Sequence, residues 1–326
     1  MLEILIYALV VSFIISLITT LVTVPWLISK LAEKGFIGID QNKFTKPKIP
    51  EMGGLAVVIG FVAGVSTFLV INKVVGEGEN DFAFLAAPLL AVVGAALTGI
   101  MDDLFGLRQR IKAVIPFLFA FPVGVYVADK TTMSFIFTTV NFGILMVLIA
   151  PIGVTCAANA ANMLEGFNGL GNGLGIIITI TLIIISLIHG ADDSLLLLFP
   201  LLGALIAFLY FNRFPAKIFP GDTLTLFMGA TIACAAIVGD FKTIVAILFI
   251  PMIIEFFLKL RGHFQGENYG IPDKDGFLTY ENRIESLTHI FMKGKKIKEQ
   301  KLVFIIWGLE GILCVIVLAL VGFGLF

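Results

Sequence analysis

The sequence predicts an all-α integral membrane protein of about ten transmembrane helices, and three observations carry that expectation. Of 326 residues, 59% are hydrophobic and 14% charged, with a mean hydropathy of +1.04, far from the range of a water-soluble domain. Ten apolar segments are long enough to cross a bilayer, at about 2–25, 53–72, 84–101, 113–128, 133–155, 174–189, 195–211, 223–239, 243–258 and 303–325. None alternates strictly as a membrane barrel strand does, and backbone groups in lipid must be satisfied within the segment, so each is expected to be a helix.

Taken from the start, the first segment lacks a basic leader and a small-residue cleavage site, so it is expected to be a retained span. The second follows Gly53 and Gly54. The third ends abruptly in the acidic pair Asp102 and Asp103, and the fourth and fifth are interrupted by Pro116, Pro122, Asn141 and Pro151. Charge sets orientation. Loops at about 26–52, 102–112, 156–173, 212–222 and 259–302 hold almost all Lys and Arg, whereas the opposite loops hold only Lys73, Lys130 and Lys242 beside acidic residues such as Glu77, Glu79 and Asp81. The basic side is expected to be cytoplasmic, with both termini outside, which requires an even number of spans. The chain reads as one polytopic domain, 1–326, of a multi-pass cell-membrane protein; the stretch Lys259 to Lys301 is too small to bury a core alone.

Every motif lies on the basic side. In MDDLFGLRQRIK, Asp102 and Asp103 are candidate catalytic groups, because adjacent carboxylates at a membrane boundary need a cation, a phosphate-bound metal or a proton as partner; a solvated helix end is the competing reading. In FTKPKIPEMGG, the prolines hold the chain extended, and Lys46, Lys48 and Glu51 are candidate substrate contacts. In NAANMLEGFNGLGNGLG, Asn159 and Asn162 share a helix face and Gly166 lets the helix break, which places Asn168 on the following loop. An Asn carbonyl can ligate magnesium while its amide donates to a base or phosphate.

In FNRFPAKIFPGDT, Asp222 opens an apolar span, as a helix cap or as a ligand holding a cation against a diphosphate, and Phe219 offers an aromatic face. Arg261 and His263 follow a long helix and are candidates for a phosphate or sugar clamp. The run Lys293 to Lys301 is read as an anchor against anionic lipid. Scattered histidines and isolated Cys156, Cys234 and Cys314 argue against a zinc site or disulfide framework, and no serine nucleophile motif stands out. Acidic residues, amides and cations on one face beside lipid point to magnesium and phosphate chemistry.

The ordered motifs KPKIPEMGG, GIMDDLFGLRQRIK, NAANMLEGFNGL and FNRFPAKIFPGDT resemble those of the polyprenyl-phosphate N-acetylhexosamine-1-phosphate transferases (glycosyltransferase family 4), nearest the dolichyl-phosphate branch and archaeal in character. The resemblance implies transfer of N-acetylhexosamine-1-phosphate, above all GlcNAc-1-phosphate, from a UDP-sugar to a polyprenyl or dolichyl phosphate with release of UMP. That reaction would open N-glycan or surface-glycan assembly. It implies Mg2+, with Mn2+ as a substitute, held by Asn162 and Asp222; Lys112 on the diphosphate; Asn168 on the uracil edge; Phe219 stacked on the base; and Asp102 and Asp103 near the lipid phosphate. Membrane lipid and a second copy in a homodimer are implied partners, and no nucleic acid. Gly106 and Glu165 depart from the family pattern. The alternative from another class is a transporter or lipid flippase with the same polar groups lining a path, although its coupling groups belong near the bilayer midplane.

Overall fold

A computed structural model of the chain describes residues 2–75, 85–135 and 138–326; the expected outer-loop acids Glu77, Glu79 and Asp81 lie outside the described residues. Helix α1 (Leu2–Lys34) runs nine residues beyond its expected span and leads into a small antiparallel hairpin, β1 (Ile37–Ile39) and β2 (Lys48–Pro50). Then come α2 (Gly54–Val75), α3 (Ala86–Phe105) and α4 (Gln109–Tyr126). A second hairpin, β3 (Thr132–Phe135) and β4 (Thr138–Asn141), precedes α5 (Met146–Met163), so the expected fifth span is hairpin at its start and helix only from there on. Thr132, Thr138, Thr139 and Val140 are β-branched, which favours strand locally.

The chain continues through α6 (Leu170–His189), α7 (Asp192–Asn212), α8 (Gly221–Val238), α9 (Lys242–Leu248) and α10 (Ile250–Arg261). The last two form one apolar run bent by 62°, with Pro251 entering just after the break, where its ring and missing N–H prevent a continuous helix. Among the described residues eight helices are long and apolar enough to cross a membrane, and nine if the bent pair is one span. The difference from the ten expected is α4, whose opening turn, Gln109 to Lys112, carries Arg110 and Lys112.

The stretch after α10 is not an irregular loop. Strands β5 (Ile271–Pro272), β6 (Phe277–Thr279) and β7 (Ile297–Lys298) form an antiparallel sheet around the short helix α11 (Leu287–Met292), and α12 (Glu299–Gly322) follows directly. This unit has no core of its own and docks on the bundle. Glu255 of α10 accepts from Leu287 N–H at 2.7 Å and from the Ser286 hydroxyl at 3.0 Å, which caps α11 from outside. His289 stacks on Tyr280 with 3.5 Å between ring centres, and Leu278 and Met292 are buried beneath.

Helix α8 is the axis of the bundle. It packs against α2, α3, α5 and α7, and every residue of it except Asp222 is buried. A helix apolar all round belongs in the middle of a bundle, and its one exception marks where the centre opens. Gly99 sets the crossing of α3 on α8, since a Cβ there would fall 2.5 Å from Thr223 Cα. Small residues allow such close approach, and here it brings the end of α3 onto the start of α8.

Candidate active site

At that crossing three aspartates and a lysine form one cluster. Lys112, in the first turn of α4, reaches Asp102 Oδ2 at 2.9 Å and is also paired with Asp222 Oδ2. Asp102 uses its other oxygen to accept from Leu107 N–H at 2.7 Å, which fixes the α3–α4 turn around Gly106. Gly106 is the left-handed cap of α3, with φ +62°, a conformation that glycine adopts without a side-chain penalty.

Asp103 does something different. It accepts from the backbone N–H of Asp222 at 2.7 Å, from Thr223 N–H at 3.0 Å and from the Thr223 hydroxyl at 2.6 Å. The carboxylate capping α8 is therefore Asp103 from another helix, and not Asp222, for which the sequence left a capping role open. Capping by Asp103 leaves the Asp222 side chain free to face Lys112. Gly221, with φ +68°, permits the approach, because a Cβ there would sit 2.6 Å from Asp103 Oδ2.

A cavity of about 1140 Å³ opens beside the cluster, and its walls include Glu51, Lys112, Asn159, Asn162, Gly166, Asn168, Phe219, Asp222 and His263. Residues from five widely separated stretches are thus brought together. Phe219 is held by the β2 loop: its N–H donates to Pro50 O at 2.8 Å and its carbonyl accepts from Gly53 N–H at 2.8 Å. Glu51 lies beside it, and burial, reinforced by the charge of Asp103, raises its carboxyl above the ordinary range. Asn159 turns its NH2 back to Thr155 O at 2.8 Å. Asp102 and Asp103 meet the cavity through Lys112 and Gly221. Lys46, Lys48 and Arg261 do not line it; Lys48 lies in β2 and Arg261 donates to the carbonyl of Ile284.

Several residues of the site were not singled out in the sequence. Asp40 and Asn42 on the first loop, Asn268 after α10 and Glu299 at the start of α12 close the wall around Asn168. Asn42 donates to Gly166 O at 2.7 Å and accepts from Gly270 N–H at 3.2 Å, and Asn268 donates to Met163 O at 2.8 Å. Glu165 lies against the start of α6, where a Cβ on Gly171 would overlap its carboxyl. Burial pushes it to about 7, opposed by the Gly166 and Gly171 N–H groups and assisted by the charge of Asp222.

A second, apolar cavity of about 260 Å³ runs between α5, α8 and the bent α9–α10 pair, and Cys156, Ala160 and Ile253 line both. The polar chamber therefore adjoins a groove of Ala, Gly, Ile, Val, Phe and Met residues, with Cys156 and Lys242 also in its wall.

The residues present fit a magnesium ion. Among the described residues no three His, Cys, Asp or Glu form a ready-made metal cage. Magnesium does not need one, since it keeps waters and takes one or two protein oxygens plus substrate phosphates. Asp222 is the carboxylate left outside the packing of α8, and Asn162 lines the same cavity, where its carbonyl oxygen suits the ion and its buried, unpartnered amide nitrogen is a donor that suits a phosphate oxygen beside it.

A bundle of apolar helices whose polar ends converge on one chamber, which shares lining residues with an apolar groove, is the architecture of a multi-pass membrane protein. The chain belongs to glycosyl transferase family 4, whose family model matches residues 85–240. It is 40% identical over 314 residues to a protein of Saccharolobus solfataricus, covering 95% of this chain and 94% of that one. It is 38% identical over 303 residues to one of Sulfolobus acidocaldarius, covering 92% of each. Both carry the provisional name UDP-N-acetylglucosamine–dolichyl-phosphate N-acetylglucosaminephosphotransferase. A Bacillus subtilis protein provisionally named undecaprenyl-phosphate N-acetylglucosaminyl 1-phosphate transferase is 29% identical over 281 residues, 81% of this chain and 75% of that one.

Proposed function

We infer that this chain transfers GlcNAc-1-phosphate from UDP-GlcNAc to a polyprenyl phosphate of the dolichyl type, forming a lipid-diphosphate-linked sugar and releasing UMP. The observation that carries the reading to a mechanism is the cluster of Lys112, Asp102 and Asp222 at the junction of a polar chamber and an apolar groove.

An oxygen of the lipid phosphate attacks the β-phosphorus of the donor, the bond from that phosphorus to the bridging oxygen breaks, and UMP leaves with the electron pair. The attacking phosphate is already ionised near neutral pH, so the protein needs to align it and to neutralise charge more than to abstract a proton. Lys112 supplies a fixed positive charge at the diphosphate, and Asp102 aims it. Asp103 acts one step back by holding the first turn of α8 so that Asp222 faces the chamber. Magnesium, held by Asp222 and Asn162, would supply further charge neutralisation. Phe219 stacks on the base and Glu51 and His263 line the donor's chamber. The groove between α5 and α9–α10 takes the first isoprene units of the acceptor.

The positive-inside asymmetry supports a cytoplasmic position for this end of the bundle and a cell-membrane location for the protein. The charged groups of the cluster sit at helix ends, which favours transferase over transporter, where coupling groups lie at the midplane. The test is UMP release by purified protein given magnesium, a dolichyl phosphate and UDP-GlcNAc, with and without Asp222→Ala. Release lost in the variant is expected; undiminished release would overturn the assignment of Asp222.

A further inference from the structure

A buried charge network outside the Lys112 cluster grips Asn168. Its backbone N–H donates to Glu299 Oε1 at 2.9 Å and its side-chain Nδ2 donates to Asp40 Oδ2 at 3.2 Å. Lys43 ties the two carboxylates together, at 2.9 Å from Asp40 Oδ2 and paired with Glu299 Oε2. The side chains of Asp40 and Glu299 are 5% and 3% exposed. Three distant segments thus converge on a single amide: the first loop, the glycine-rich loop and the start of the last helix.

Neutral Asn alone carries no preference about which end of its amide it shows, because oxygen and nitrogen can exchange by a flip. A carboxylate can only accept, so Asp40 holds the NH2 end, and Oδ1 is the atom left for a ligand. That oxygen takes no hydrogen bond within the protein among the described residues, while Asn168 lines the cavity. A lone acceptor on this wall demands a donor on the ligand.

We propose that Asp40, fixed by Lys43 and Glu299, is a positioning residue that locks the Asn168 amide as an acceptor and thereby selects uracil over cytosine in the nucleotide donor. This rests on the UDP-sugar reading above. Uracil presents an imide N3–H to such an acceptor. Cytosine presents a bare N3, which would face Oδ1 lone pair to lone pair. The mispaired base forfeits one hydrogen bond and leaves a buried acceptor unsatisfied, roughly 1–3 kcal/mol, or on the order of tenfold to a hundredfold in affinity. Freed from Asp40, the amide would flip and accommodate either base.

The test measures UDP and CDP binding to purified full-length protein with magnesium, by calorimetry or competition, alongside thermal unfolding. Wild type is expected to prefer UDP by about tenfold or more. Asp40→Asn, nearly the same shape but able to donate, is expected to bring the ratio close to one. The double exchange D40N/N168D restores an acceptor-only group facing the ligand, with an amide behind it, and is expected to recover the preference for UDP. Asn168→Ala leaves the Asp40, Lys43 and Glu299 network in place, so it serves if Asp40→Asn does not fold, and it must also abolish the preference. An unchanged ratio in Asp40→Asn or Asn168→Ala, or loss of the ratio without recovery in the double exchange, overturns the proposal. Wild type that binds UDP without preference overturns this inference alone, whereas wild type that binds neither nucleotide overturns the donor reading with it.

Discussion

Asp103 and Thr223 are joined across 120 residues by two hydrogen bonds, 3.0 Å from the Thr223 N–H and 2.6 Å from its hydroxyl, so that α3 supplies the cap of α8. A helix leaves its first N–H groups without internal partners, and a charged acceptor there also opposes the positive end of the helix dipole. The same contact determines where Asp222 points. Asp103→Ala is therefore expected to lower both stability, by about 1–3 kcal/mol, and activity, by tenfold or more on the same energetic scale. Gly221→Ala should act in the same direction from the other side of the contact, because it combines φ +68° with a Cβ 2.6 Å from Asp103 Oδ2. Thermal unfolding in detergent and UMP release measure the two effects. A variant of Asp103 with unaltered unfolding temperature would refute the capping role.

Lys112 is shared by two carboxylates, which ranks the variants around it. Asp102→Asn keeps the Lys112 to Asp222 pair, so a loss of about tenfold in kcat is expected, the scale of one charge-assisted hydrogen bond. Lys112→Met leaves Asp102 and Asp222 without their shared cation and removes a charge from the diphosphate, so the expected loss is on the order of a hundredfold to a thousandfold. Steady-state UMP release decides the order, and Asp102→Asn being the more damaging would place the chemistry on Asp102 instead.

Glu165 stands at about 7 because of burial, and therefore changes charge across neutral pH. Its folded value is raised above the ordinary carboxylate, so the neutral form is favoured inside the protein below about 7. Above that pH it becomes an anion close to Asp222 and to any incoming diphosphate. UDP affinity is expected to fall as pH rises from about 6 to about 8, and Glu165→Gln should flatten that fall. The difference between wild type and variant is the quantity to measure, since titration of the nucleotide's own phosphate is common to both. Parallel pH profiles would exclude Glu165 from the donor's electrostatic surroundings.

His289 makes a pH-dependent contribution of the opposite sign. Its side chain is buried, Nδ1 accepts from Glu285 N–H at 3.2 Å, and burial, opposed by the nearby Tyr269 and Glu267 backbone and assisted by the charge of Lys259, lowers its pKa from 6.5 to about 4. A depressed folded value means the unfolded chain takes up the proton first. Stability is complete above about 6.5 and is lost as pH falls toward 4, by roughly 2–3 kcal/mol. His289→Gln keeps an acceptor for Glu285 N–H and should show a lower but flatter unfolding temperature between pH 4.5 and 7.5. An equally steep acid limb in the variant would assign that limb to other groups.

The helices were legible because their signal is local: each of the ten apolar runs holds helix, although the fifth opens as a hairpin, the ninth is bent by 62°, and α4, with charge in its first turn, is not one of the eight or nine candidate spans among the described residues. Asp222, Asn162 and Asn168 were legible as polar residues interrupting such runs. Asp40 and Glu299 were not, since each looks like one more charge in a solvated loop or anchor, and only the fold brings them to Asn168 over separations of 128 and 131 residues. Distance in sequence also hid Asp103 as the cap of α8. The β3–β4 hairpin was missed because a short apolar strand and a helix start have the same hydrophobicity, and the β-branched threonines were outweighed by the apolar run.

Gly153 gives the acceptor groove its own test. It lies on α5 in the wall of the apolar cavity, which Ala157, Ala233 and Phe249 also line, and a Cβ built on it meets nothing within 4 Å. Substitution there adds volume to open space without forcing the core apart, and replacing a mid-helix glycine favours the helix by roughly 0.5–1 kcal/mol. Gly153→Phe is therefore expected to fold at least as stably as wild type and to bind UDP unchanged. With part of the groove filled, the KM for a long-chain lipid phosphate should rise about tenfold, whereas a short, water-soluble phosphate acceptor that does not reach the groove should be used as before. The lost burial of two or so methylene groups, at about 0.8 kcal/mol each, accounts for an effect of that size. A variant with equal KM for long and short acceptors would show that the lipid enters elsewhere.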